Sequence, residues 1–139
     1  MQAMLLVAAL CVGCRTRQPI SPTGEPRYLV TIYDLQGEAI GQLDMIVTNQ
    51  PAQSCNAADQ GKLRLVQIVS QRLQPPLHLG SAPGGWLDDG KLLVDLSAPM
   101  CDAYLLLTGR LTASGASGDV VRSSIGSGGR IGTFQATLK

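Results

Sequence analysis

From residue 28 onward, apolar and polar side chains alternate with a period of two over short stretches, and clusters of Gly, Pro, Asn and Asp separate the stretches. This is the signature of half-buried strands, whose successive side chains point to opposite faces. Residues 28–34 (YLVTIYD) form the first, Leu35-Gln36-Gly37-Glu38 turns the chain, and 40–48 (IGQLDMIVT) returns as the second arm of a hairpin. In that arm Leu43, Met45 and Val47 share one face, with Gln42 and Asp44 on the other. The alternation is plainest at the C-terminal end, where Gly132, Phe134, Ala136 and Leu138 oppose Thr133, Gln135 and Thr137.

Between these ends the pattern predicts further strands at 91–96, 103–111 and 120–125, and one interrupted strand over 77–87. The polar stretch 49–61 connects the second strand to the third, Asp89-Gly90 signals a tight hairpin turn, and 112–119 and 126–129 read as Ser/Gly-rich loops. Segment 63–73 (LRLVQIVSQRL) is ambiguous, because Leu65, Ile68, Val69 and Arg72 fit a helical face while Val66, Ile68 and Ser70 fit a strand face. Its Val and Ile content, with Pro75-Pro76 just beyond, favours the strand. Eight strands and glycines within them at Gly41, Gly109 and Gly132 predict an all-β fold, a small closed antiparallel eight-stranded barrel over 27–139. The alternatives are a two-sheet β-sandwich, or an α+β fold with a helix at 63–73. The stretches Leu107-Thr108-Gly109-Arg110-Leu111 and Gly128-Gly129-Arg130-Ile131-Gly132-Thr133-Phe134 loosely resemble the closing strands of lipocalin-like or streptavidin-like barrels. That likeness implies fold and carries no function. Five aromatic residues are too few for the two girdles of a membrane-spanning barrel.

The first 13 residues (MQAMLLVAALCVG) differ in kind, with 11 hydrophobic side chains and no charged one. The run falls well short of the roughly 20 apolar residues that cross a bilayer and reads as a secretory signal. Its end, Cys11-Val12-Gly13-Cys14, resembles the lipobox of bacterial lipoproteins, although Cys11 stands where Leu is usual and Met1-Gln2-Ala3 carries no Lys or Arg. The resemblance implies cleavage after Gly13 and lipidation of Cys14 with diacylglycerol and a fatty acyl group such as palmitate. Arg15 in place of an Asp after the cysteine implies the outer membrane, facing the periplasm, over the inner one. Residues 14–26 then hold three prolines and read as an extended, semi-rigid tether.

Under that reading Cys11 leaves with the signal and Cys14 takes the lipid, so Cys55 and Cys101 remain as one pair. An exported chain folds where disulfides persist, and a disulfide is expected in preference to two free thiols. With His78 they lack the spacing of a metal site.

Eleven basic against ten acidic residues leave a net charge of +1, which gives no electrostatic footprint for nucleic acid. Catalytic candidates are sparse. His78 is the only histidine and has no nucleophile motif to serve. Asp88-Asp89 read as turn residues rather than a carboxylate pair, and Gly126-Ser127-Gly128-Gly129 as a hairpin loop rather than a phosphate cradle. Trp86, the only tryptophan, is expected in the core; as the alternative, it lines an apolar ligand pocket together with Phe134. The resulting expectation is a non-enzymatic envelope lipoprotein without cofactor, held to the membrane by its lipid and serving a structural or protein-interaction role. A lipocalin-like carrier of a small apolar ligand is the alternative.

Overall fold

A computed structural model describes residues 24–139. The signal sequence, Gly13, Cys14 and most of the tether therefore lie outside the described residues. The described residues form eight strands: β1 (Arg27–Asp34), β2 (Ala39–Pro51), β3 (Arg64–Leu73), β4 (Gly84–Asp88), β5 (Lys91–Asp95), β6 (Ala103–Thr112), β7 (Gly115–Ser124) and β8 (Ser127–Leu138). Each pairs antiparallel with its neighbour in sequence, and β8 pairs with β1 from Tyr28↔Leu138 to Asp34↔Gly132, closing the barrel. The sandwich alternative is thereby excluded.

The helical reading of 63–73 is also overturned. Strand β3 lies on β2 with Val47↔Val66 and Met45↔Ile68 in register, so β2 finds backbone partners there that a helix would deny it. The register shifts between Asp44 and Met45, so that Val69 has no opposite number on β2; this bulge moves apolar side chains off the period of two and produces the helix-like spacing.

Two further corrections concern segment ends. Of the predicted strand over 77–87 only β4 is a strand; Leu77 is buried and Leu79 packs against the core, while Gly80 donates its N–H to Leu96 O at 2.7 Å. The predicted loop 112–119 shrinks to a two-residue turn, because β7 begins at Gly115. Its small residues look like loop composition, yet Gly118 faces Gly109 across the ladder so closely that a Cβ on either would run into the opposing backbone. The β4–β5 turn is as read, with Asp89 and Gly90 at φ 46° and 71°.

Inward positions follow the period of two. Val30, Ile32, Leu43, Met45, Val66, Leu92, Val94, Leu105, Leu107, Val120 and Phe134 are buried together inside the barrel. Eight strands leave a bore that side chains of this size fill.

On the outside, Asp44 of β2 binds the two ends of the chain segment that closes the barrel. Arg27 Nε and Nη2 donate to its two carboxylate oxygens at 2.7 and 2.8 Å, and Lys139 Nζ donates at 3.0 Å. The Arg27 hydrogen bonds first, then the Lys139 one, hold the Asp44 carboxyl well below the usual carboxylate range. The unfolded chain therefore binds more protons at this site, so its contribution to stability is complete above about pH 4 and fades as the pH falls below it. Asp44→Asn is expected to lower stability at neutral pH and flatten the loss on acidification. Urea midpoints from pH 7 to pH 3 check this, and curves for the two proteins that stay parallel contradict it.

Candidate functional site

Cys55 and Cys101 form a disulfide, with Cα atoms 5.3 Å apart. It ties the β2–β3 connection to the β5–β6 connection. The pinned β2–β3 connection lies against the outer wall, since a Cβ on Gly84 would meet Leu63 Cδ2 at 2.6 Å and Ala52 Cβ at 3.2 Å.

Phe134 and Trp86 are not brought together. Phe134 is 1% exposed inside the barrel, whereas Trp86 faces outward and does not belong to the core. The cause is strand parity. Gly85 and Leu87 sit opposite Val94 and Leu92, which point inward, so Trp86, opposite Leu93, points out. The predicted core position for Trp86 and the joint pocket with Phe134 are both corrected on this ground.

The other candidates are dispersed. His78 is exposed, with Nδ1 3.4 Å from Pro76 O, while Asp88 ends β4 and Asp89 sits in the β4–β5 turn. Gly126 is part of the β7–β8 turn at φ 78°, and the residues after it belong to β8. No group of three or more His, Cys, Asp or Glu side chains comes together among the described residues.

One polar node escaped sequence reading. Asp95 and Ser97 are both buried; the Ser97 hydroxyl lies 2.7 Å from Asp95 Oδ1 and accepts the Leu105 N–H at 3.0 Å. Ser97 N also donates to Asp95 Oδ1 at 3.0 Å. These bonds satisfy buried backbone where β5 leaves the ladder, a structural role. A serine two residues after an aspartate at the end of an apolar strand is the only signal the sequence offers for it.

Among the described residues, two clefts on the outside stand out. One, of about 350 Å³, is lined by Gly61, Lys62, Arg64, Trp86, Leu87 and Asp88. It lies where β3 and β4 part: the two pair only at Arg64↔Gly85 and Leu65↔Gly84, and beyond Arg64 the chain at 61–63 leaves the edge of β4. The indole Nε1 of Trp86 is buried without a hydrogen-bond partner among the described residues. The other, of about 430 Å³, lies beside the β7–β8 turn and includes Arg122 and Arg130. Arg130 is already held by Asp119 at 2.8 Å.

Comparison with protein-family models, curated proteins and solved structures gives no significant match to this chain.

Proposed function

We propose that this protein is an envelope lipoprotein anchored through lipid on Cys14, most consistent with the outer membrane, whose barrel stands in the periplasm in a structural or protein-interaction role without catalysis. The observation that carries the interaction reading is the filled interior: a wall of eight strands closed on buried Phe134, Met45, Leu107 and their neighbours supports recognition by the outer surface over carriage of a small apolar ligand in a lipocalin-like bore. The anchor reading rests on Cys11-Val12-Gly13-Cys14. A polyproline-like conformation, which the three prolines of residues 14–26 favour, would let that tether span about 40 Å and hold the barrel clear of the bilayer. Its last residues join the barrel firmly, since Glu25 Oε1 accepts the Asn49 N–H and Pro26 O accepts the Val47 N–H, both at 3.0 Å.

Metabolic labelling with an alkyne fatty acid in a bacterial host tests the anchor. Wild type is expected to take the label and fractionate with membranes, and Cys14→Ser to do neither. Equal labelling of the two proteins rules the anchor out.

A further inference from the structure

We infer that the cleft beside Trp86 is a docking site for an extended, acidic peptide segment of a partner protein; this rests on the interaction reading above and names the chemistry of the partner. Three independent features of the cleft meet in that ligand. The first is a free backbone edge. Continuing the register Arg64↔Gly85 would set Leu63, Lys62 and Gly61 opposite Trp86, Leu87 and Asp88, but this ladder does not form, and Leu63 O accepts the Ala52 N–H instead. Among the described residues the edge of β4 from Trp86 to Asp88 is left without a strand on that side, and an extended peptide completes it by strand addition.

The second is charge. Lys62 and Arg64 line the cleft and neither forms an ion pair among the described residues; Arg64 Nη1 is engaged only with Gly61 O at 3.2 Å. Two cations beside an unpaired strand edge select a carboxylate on the incoming segment, with Asp88 on the other lip opposing a uniformly acidic one. The third is the indole. Trp86 lines the cleft, and its buried N–H has no acceptor among the described residues, a local cost that a ligand carbonyl or carboxylate reaching it would remove. The chain's own tether does not suit the cleft, because its charged side chains ahead of Glu25 are Arg15 and Arg17.

Trp86 is the only tryptophan, so its emission reports on this cleft and nothing else. The full chain is titrated with the blocked peptide acetyl-Ala-Val-Glu-Val-Glu-amide, with its Gln-for-Glu counterpart, and with citrate, which offers carboxylates without a backbone. A saturable change with the acidic peptide is expected, at about tenfold or better affinity over each of the other two. Lys62→Gln alone, and with Arg64→Gln, is expected to remove most of that preference while leaving the circular dichroism spectrum unchanged. Equal binding of the acidic and Gln peptides overturns the proposal, as does citrate binding as tightly as the peptide. No saturable change up to millimolar peptide also overturns it. None of these outcomes depends on lipid labelling at Cys14, so failure here is separable from failure of the anchor.

Discussion

Replacing Cys55 and Cys101 with serine is expected to lower the stability of the barrel by about 4 kcal/mol, the largest effect of any change confined to its surface. The two cysteines are 46 residues apart, and the chain-entropy relation for a closed loop of that length gives about 4 kcal/mol at 25 °C. The cross-link bears on the weakest seam. Strands β3 and β4 share two residue pairs, against ten between β6 and β7, so the ladder alone does little to hold the two sides of this wall together. The disulfide bridges the connections before β3 and after β5, and the closed loop contains β3, β4 and β5 entire. Urea unfolding of the oxidised protein and the double-serine variant measures the difference. A loss under about 1 kcal/mol would mean that the loop is already constrained in the unfolded chain, and the entropic account would fail. A loss near the expected value is a large share of the about 5–15 kcal/mol that holds a folded domain, and it would support the proposed export to an oxidising compartment independently of the lipobox.

What the sequence made legible was set by how far local chemistry controls each feature. Strand parity is local, so Leu43, Met45 and Val47, or Phe134 and Ala136, were placed on the buried face by alternation alone. The Asp89-Gly90 turn was readable for the same reason, since positive φ is a property of the residues at the turn. The cysteine pair followed from counting under the lipoprotein reading. Features that depend on a partner strand were not legible. The bulge at Val69 exists only relative to β2, and the glycines of β7 look like a loop until Gly109 is set against Gly118. Trp86 failed for a related reason. Size and apolarity argue for the core, but its side of the wall is fixed by pairing with Leu93, and the short stretch Gly84-Gly85-Trp86-Leu87 does not reveal which residues face inward. The cleft itself arises from a ladder that stops at Arg64, a fact about two segments some twenty residues apart in sequence.

Phe134→Ala is expected to cost about 3–5 kcal/mol, the range for truncating a buried phenylalanine. Phe134 is 1% exposed and the largest of the fully buried side chains. Its strand pairs with β1 at Ile32 and with β7 at Gly118, and glycine offers no side chain to fill the space the ring would vacate. The cost therefore falls toward the upper part of that range, because a cavity that cannot collapse forfeits contacts as well as transfer free energy. The same variant distinguishes a filled barrel from a carrier. If Phe134 is core, the wild-type protein gives no saturable signal with an apolar dye, while Phe134→Ala is less stable in urea and acquires room for a small apolar guest. If Phe134 lined a ligand pocket instead, wild type would bind the dye and the truncation would weaken binding at little cost to stability. Urea midpoints and dye titrations on the two proteins separate these outcomes, and the packing of Ile32, Leu43, Met45 and Leu107 into the same cluster favours the first.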